Sequence, residues 1–203
     1  MRRTSFLAAV VVAFFALPAF AQAAPAATLL PIRGTVEKLD GRILMVAERD
    51  GGTASVTLAP GAKVNILVKR NLADIKPGDF VASTGIKGKD GQIHAIEVRI
   101  FPKVAPNGGG QFAWDLAPDS VMTNATVGRV TKAPQGEELH VTFKGGKSEY
   151  SVGPGVPILA PAPGDISLLK PGAAVLVFAV RHPDGSLTST RLYAEKNGIK
   201  PPM

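Results

Sequence analysis

The sequence contains no cysteine, few aromatic residues and only three histidines. The absence of cysteine excludes disulfide bonds and the lipidated N-terminal cysteine of a lipoprotein, so packing alone must stabilise the fold. Aromatic residues make up 6% of the chain, with a single tryptophan, Trp114. Beyond the N-terminal segment, no apolar run approaches the roughly 20 residues that a membrane-spanning helix requires. These deficits exclude a disulfide scaffold and a helical membrane protein.

The N-terminal segment has the pattern of a secretory signal. Arg2 and Arg3 precede an apolar run from Phe6 to Phe20, and Ala21-Gln22-Ala23 then supplies the small-x-small pattern that a signal peptidase recognises. We expect residues 1–23 to be a cleaved signal peptide, with an uncleaved anchor as the alternative. The mature chain is then periplasmic or secreted, with no integral membrane segment after cleavage.

The charge balance is mildly basic. The chain has 23 Lys plus Arg against 16 Asp plus Glu, a net charge of +7; loss of Arg2 and Arg3 leaves 21 against 16, or +5. The basic residues are dispersed, and Lys69-Arg70 is the one adjacent pair of the mature chain. Single-stranded nucleic acid requires a basic groove with exposed aromatic residues, so we expect no nucleic-acid partner.

Turn-forming residues recur at one offset, 94 residues, in the two halves of the chain. Such recurrence indicates that the two halves share the order and spacing of their turns, and therefore a fold. The matched landmarks are Gly34 and Val36 with Gly128 and Val130, Pro60-Gly61 with Pro154-Gly155, Lys76-Pro77-Gly78 with Lys170-Pro171-Gly172, and Asp90-Gly91 with Asp184-Gly185.

Between these turns, each half contains five segments rich in branched residues, which predict short strands. They are 32–36, 43–47, 54–58, 80–84 and 93–100 in the first half, and 125–130, 138–143, 148–152, 173–180 and 187–194 in the second. The pattern predicts an all-β protein of two tandem five-stranded OB-like small barrels related by an internal repeat, with an open sandwich as the alternative. Residues 24–102 are expected to form the first barrel and 125–203 the second barrel with a C-terminal tail.

Two segments outside these strands, 64–75 and 158–169, are expected to form a helical turn at most. Leu72 and Ile75 in the first segment, or Ile166 and Leu169 in the second, would plug a barrel end.

The order of these motifs resembles an exported bacterial OB-like domain of unknown function, often found in tandem. The resemblance rests on G-x-V at Gly34 and Gly128, Pro-Gly, Leu-x-x-Ile/Leu-Lys-Pro-Gly ending at Gly78 and Gly172, and Asp-Gly-x-Ile/Leu before the last strand. It covers residues 32–100 and 126–195. It implies a periplasmic or secreted protein without an assigned catalytic residue.

Residues 103–124 are expected to form a Gly/Pro-containing linker whose second half is apolar. Trp114 and its apolar neighbours would either pack between the barrels or present a binding platform. In the second interpretation Trp114 stacks on a ligand ring, and Asp115 and Asp119 lie beside it as ligand-binding residues.

No motif for catalysis or cofactor binding is present. The sequence has no nucleophile elbow, no P-loop and no dinucleotide fingerprint, and its histidines His94, His140 and His182 are not at metal-ligand spacing. We therefore expect no enzyme, no catalytic residue, no cofactor and no metal. A copper site that combines histidine with Met122 or Met203 is an alternative, because copper(I) favours thioether ligands.

These observations predict an exported, noncatalytic binding or interaction module of the bacterial periplasm. Its partner is an unidentified small molecule or an envelope protein. One alternative is an envelope scaffold that pairs with a protein partner at a sheet edge, and the other is the copper-binding protein.

Overall fold

The computed structural model describes residues 29–101, 109–134 and 136–202. These residues form β-strands and two one-turn 3-10 helices, Leu72–Asp74 and Ile166–Leu168. The strands are β1 Leu29–Asp40, β2 Ile43–Glu48, β3 Thr53–Arg70, β4 Phe80–Lys87, β5 Ile93–Phe101, β6 Gly110–Ala113, β7 Ser120–Ala133, β8 Gly136–Phe143, β9 Gly146–Val152, β10 Ile158–Pro163, β11 Ala174–Arg181 and β12 Leu187–Ala194. The all-β prediction is confirmed, and each of the ten predicted segments coincides with a strand, except that Ala173 precedes β11.

Three parts of the fold were not predicted. β3 does not end at the Pro60-Gly61 turn but continues to Arg70, with Gly61 at a φ of 72°. The expected linker contains β6 and the beginning of β7, which pair as a hairpin. Strand β10 occupies part of the segment in which only a helical turn was expected. The predicted signal peptide, residues 1–23, lies outside the described residues.

Strands β1, β2 and β3 close a five-stranded barrel with β11 and β12, which we call barrel 1. β1 pairs antiparallel with β2 and with β11, and β12 closes the ring by pairing parallel to β3. Its core contains apolar residues of all five strands, such as Val36, Val56 and Val177. Leu169, which follows the second 3-10 helix, is 4% exposed and joins this core as predicted, whereas Ile166, the other residue of the predicted plug, is 50% exposed.

Strands β4, β5, β7, β8 and β9 form a second ring, which we call barrel 2. β4 pairs with β5 and β7, β8 joins β7 to β9, and β5 closes the ring by two parallel residue pairs, Ile93 with Tyr150 and His94 with Ser151. Ile75, which follows the first 3-10 helix, plugs the core of barrel 2.

This arrangement differs from two barrels built from contiguous halves, residues 24–102 and 125–203. The hairpin β11–β12 completes the ring of β1–β3, and the hairpin β4–β5 completes the ring of β7–β9. The physical reason is the length of β3. Because β3 stays extended to Arg70, the chain leaves barrel 1 before β4 begins, and its next strands pair elsewhere.

The two barrels meet along β3 and β10, which pair antiparallel. At the middle of this ladder Leu67 lies opposite Pro161. A third apolar cluster, formed by Leu67, Leu159, Leu176 and Tyr193, packs on the outside of barrel 1 at this junction. The junction is therefore a buried part of the molecule and not a flexible tether.

Candidate functional site

The residues that the sequence singled out lie on a short connection between β6 and β7, residues 114–119, which we call the strap. The β6–β7 ladder ends with the Trp114 amide donating to the Ser120 carbonyl at 2.8 Å. The Ser120 hydroxyl donates to the Trp114 carbonyl at 2.9 Å and accepts from the Ala117 amide at 3.2 Å. Ser120, which is 2% exposed, thus fixes both ends of the strap.

Trp114 is half-buried and lies over an arginine of barrel 1. The Arg33 Cζ is 5.1 Å from the centroid of the indole, and the ring of Phe112 meets the indole edge-on at 6.0 Å between centroids. The strap therefore contacts barrel 1 through Arg33 of β1 while it is attached to barrel 2 through β7.

Asp115 binds the same arginine. Its Oδ1 accepts a hydrogen bond from Arg33 Nη2 at 2.8 Å, and its carbonyl accepts from Arg49 Nη2 at 3.3 Å. The side chain of Asp115 is 42% exposed, whereas that of Arg33 is 2% exposed. Asp119 is separate from this group: it is exposed at the turn, with a φ of 55°, and among the described residues no hydrogen bond or ion pair joins it to Trp114 or Asp115.

Arg33 is the residue that sequence reasoning missed. It lies within a predicted strand, between the buried residues Ile32 and Gly34, and its charge in an apolar segment was the available signal. Burial lowers the pKa of the Arg33 guanidinium; the Asp115 carboxylate opposes this shift, and the charges of Arg49 and Arg99 add to it.

A second buried charge pair lies on β5. Arg99 Nε is 2.5 Å from Glu97 Oε1, with side chains 4% and 7% exposed. Burial raises the pKa of Glu97, and the neighbouring charges of Arg99 and Arg33 oppose that change. Burial also raises the pKa of Tyr193, which both members of the pair influence. Because Arg33 and Tyr193 belong to barrel 1, the pair of β5 lies at the junction.

A polar cleft of about 300 Å³ opens on the side of barrel 2. It lies between the turn that joins β4 to β5 and the strands β8 and β9. Its polar lining includes Gln92, Glu138, Lys147, Ser148, Glu149 and Ser151. The first of these residues comes from the N-terminal half of the chain and the others from the C-terminal half, so the cleft depends on the way the hairpins are distributed.

Below the cleft, Tyr150 is fully buried and its hydroxyl hydrogen-bonds to Thr123. Gln111 of β6 donates from Nε2 to the Thr123 hydroxyl at 2.8 Å and approaches Ser148 Oγ at 3.3 Å. Burial raises the pKa of Tyr150, and the hydrogen bonds to Thr123 and Gln111 oppose that shift. This network connects β6 and the strap to the edge of the cleft.

Beside the cleft, His140 Nδ1 lies 3.0 Å from Glu149 Oε1, and its Nε2 lies 3.0 Å from Thr131 Oγ1. The other histidines, His94 and His182, are on separate turns with Asp90 and Thr188 as partners.

The candidate metal ligands are not gathered into one site in the described part of the chain. No group of three or more His, Cys, Asp or Glu residues there could hold a metal ion. Met122 is 3% exposed, with its sulfur 3.9 Å from the Thr84 hydroxyl, and Met203 lies outside the described residues.

None of the helices in the described ranges has the length and apolarity needed to cross a membrane. Comparison of the chain with protein-family models, with curated proteins and with solved structures gives no significant match.

Proposed function

We propose that the protein is an exported, noncatalytic binding module built from two OB-like barrels by tandem duplication. The bounds of the elements support duplication. β11 begins 94 residues after β4, β12 begins 94 residues after β5, and the second 3-10 helix begins 94 residues after the first. Leu67 and Pro161, which face each other at the centre of the β3–β10 ladder, are also 94 residues apart.

The pairing of the strands supports the same relation. In barrel 1 the parallel closure places Leu187 opposite Val56, and in barrel 2 it places Ile93 opposite Tyr150. Leu187 lies 94 residues after Ile93, and Tyr150 lies 94 residues after Val56. These relations support the proposal of two copies with one topology and exchanged C-terminal hairpins.

The cleft of barrel 2 is the observation that carries the binding proposal. OB-type barrels bind ligands on the face of their second and third strands, flanked by the loop between the fourth and fifth. In barrel 2 these are β8, β9 and the turn at residues 88–92, which is where the cleft opens. Its hydroxyl, amide and carboxylate groups suit a small polar ligand, such as a neutral oligosaccharide of the cell envelope.

The copies differ at this face in a way that favours barrel 2 as the one that binds a polar ligand. The first residue pair after the β-bulge is Lys38 with Met45 in barrel 1, and Arg129 with His140 in barrel 2. Met45 is thus the counterpart of His140. Beside the cleft, barrel 2 therefore has a hydrogen-bonded histidine where barrel 1 has a methionine.

Binding is tested by titrating the 15N-labelled mature protein with N-acetylhexosamine oligosaccharides. The proposal expects saturable amide shifts confined to the cleft, around Gln92, Ser148 and Ser151. Lys147→Gln, which changes the rim of the cleft, should weaken binding, and Lys69→Gln, an exposed lysine outside the cleft, should not. No saturable shift with oligosaccharides or short peptides, or shifts centred on barrel 1, would contradict the cleft proposal.

Export is tested separately, because residues 1–28 are outside the described ranges. Mass analysis of the protein from the periplasmic fraction should give an N-terminus near Ala24. Recovery of the chain with Met1 to Phe20 intact would contradict a cleaved signal peptide.

An envelope scaffold that pairs with a partner strand is the second candidate, and the edge of β6 favours it. Among the described strands β6 pairs with β7 alone, and its Phe112 is 46% exposed. Since Trp114 bonds to Ser120, the alternate residues Gln111 and Ala113 direct their backbone groups away from β7. Such an edge can accept an extended segment by strand addition.

Ala113→Pro tests the scaffold, because it removes an outward amide without breaking the β6–β7 ladder. It should abolish capture of an envelope partner while leaving thermal stability within a few degrees of the parent. If capture persists in this variant, the partner does not bind by strand addition at β6.

A further inference from the structure

Three buried nitrogen donors without acceptors lie where the strap meets barrel 1. Among the described residues, Arg33 Nε, Arg33 Nη1 and Trp114 Nε1 have no hydrogen-bond partner. Arg33 is 3% exposed, and its Cζ is 5.1 Å from the centroid of the indole. Leaving a buried donor unsatisfied typically costs about 1–3 kcal/mol. These donors belong to two side chains in contact, so one acceptor with several oxygens can bind more than one of them.

Asp115 satisfies only one of the hydrogen-bond donor nitrogens of Arg33. It accepts from Nη2 through one oxygen at 2.8 Å, whereas arginine and a carboxylate or phosphate commonly form two parallel hydrogen bonds. Nε and Nη2 share one edge of the guanidinium group, so an oxyanion that bridges them makes one bond more than Asp115 does. The side chain of Asp115 is also 42% exposed, so it can leave Arg33 for solvent without rearrangement of the barrel.

The charges near Arg33 favour replacement of Asp115 over addition of a further anion. Arg49 and Arg99 lie close enough to influence Arg33, and each has its own carboxylate partner, Asp50 at 3.0 Å and Glu97 at 2.5 Å. With Asp115 opposite Arg33, the three guanidinium groups face three carboxylates. An oxyanion that takes the place of Asp115 keeps this balance.

We propose that Arg33 and Trp114 form a binding site for a small oxyanion, a carboxylate or a phosphate, which Asp115 occupies when no ligand is bound. The ligand accepts two parallel hydrogen bonds from Arg33 Nε and Nη2 and a third from Trp114 Nε1. Asp115 then turns into solvent, while Trp114 stays over Arg33 and Ser120 holds the ends of the strap. This site is separate from the cleft and does not depend on it.

The test uses the mature protein, in which Trp114 is the sole tryptophan and so gives one indole N–H cross-peak and one fluorescence signal. Inorganic phosphate and acetate are titrated at constant ionic strength, with chloride as the balancing ion. The site predicts a saturable downfield shift of the indole N–H, because Nε1 gains an acceptor. The ratio of the two affinities distinguishes a phosphate site from a carboxylate site.

Two variants separate this site from a merely structural salt bridge. Asp115→Asn removes the internal competitor and should raise the affinity for the preferred anion about tenfold or more, although it weakens the strap contact. Arg33→Lys keeps the positive charge but loses the bidentate edge, and should abolish the indole shift. Arg70→Lys, at an exposed arginine, should change nothing.

The proposal is overturned if Asp115→Asn binds neither phosphate nor acetate more tightly than the parent protein. It is also overturned if a folded Arg33→Lys variant responds as the parent does. Should Arg33→Lys fail to fold, the response of Asp115→Asn decides by itself, since that substitution leaves the buried arginine in place.

Discussion

The buried pair Glu97 and Arg99 allows a sharp prediction about the junction. Glu97→Gln removes one charge and leaves the Arg99 guanidinium buried, with its side chain 4% exposed, opposite a neutral amide. Removal of one partner from a buried ion pair typically costs about 3–5 kcal/mol, because the other charge is left without compensation. For a chain of this size, such a loss lowers the melting temperature by about 6–20 °C.

A double-mutant cycle separates the interaction from the cost of each substitution. Arg99→Met should cost a similar amount, and Glu97→Gln with Arg99→Met should cost less than the sum, since the double variant leaves neither charge unpaired. The assay is urea unfolding followed by Trp114 fluorescence. The control is Lys38→Gln, which breaks an ion pair of 3.8 Å whose side chains are 63% and 77% exposed, and should cost under about 1 kcal/mol.

The result that refutes this reasoning is a Glu97→Gln variant as stable as the Lys38→Gln control. The pair would then be solvated, and the outer face of β5 would not pack against barrel 1. Additive single substitutions would likewise show that Glu97 and Arg99 do not interact across the distance observed.

Two further predictions concern backbone packing and pH. Gly34→Ala should destabilise the protein by about 1–3 kcal/mol or more in thermal unfolding, because the added Cβ would lie 1.9 Å from the Ala47 carbonyl oxygen. Gly128→Ala is the control and should be nearly neutral, since the nearest atom to its Cβ would be 3.4 Å away. Equal effects of the two substitutions would contradict the register of β1. Burial raises the pKa of both Tyr150 and Tyr193, so their contribution to stability is complete below the usual tyrosine pKa of about 10 and is lost as pH rises through the folded-state pKa. Tyrosinate absorbance should therefore appear only when the protein unfolds. A separate absorbance step near pH 10 in the folded protein would contradict the burial of these tyrosines.

Much of the secondary structure could be predicted because it depends on local chemistry. Branched residues between Asp-Gly and Pro-Gly turns specify short strands whatever their partners are, so ten segments were identified. The turn landmarks that recur at an offset of 94 residues are less exact in the first strand. The β-bulge follows Val36 in β1 and Val127 in β7, which gives an offset of 91, so Gly34 and Gly128 are not counterparts.

The distribution of the hairpins could not be predicted, since each strand has the same sequence and the same turns in either arrangement. What differs is a long-range choice, whether β1 pairs with β4 or with β11, and it follows from the unbroken extension of β3 to Arg70. The site was foreseen only in part for the same reason. Trp114 and Asp115 stand out in the sequence, but their partner Arg33 is distant in the chain and belongs to the other barrel.

Both proposed sites depend on how the hairpins are distributed, and the pairing of β1 with β11 distinguishes the observed arrangement from contiguous barrels. The Val36 amide donates to the Ala173 carbonyl at 2.9 Å, which makes the next pair, Thr35 and Ala174, a non-hydrogen-bonded pair. Such pairs have Cα atoms about 4.5 Å apart, within the range for a disulfide. A barrel made from the contiguous half would place Phe80, which lies 94 residues before Ala174, opposite Thr35.

The decisive measurement is disulfide formation in two variants of this cysteine-free chain, analysed as monomers. Oxidation of Thr35→Cys with Ala174→Cys should give an intramolecular disulfide and a raised melting temperature. Thr35→Cys with Phe80→Cys should remain reduced, because Phe80 lies opposite Thr126 in barrel 2. The reverse result, with a disulfide only in the second variant, would show contiguous barrels and contradict the account.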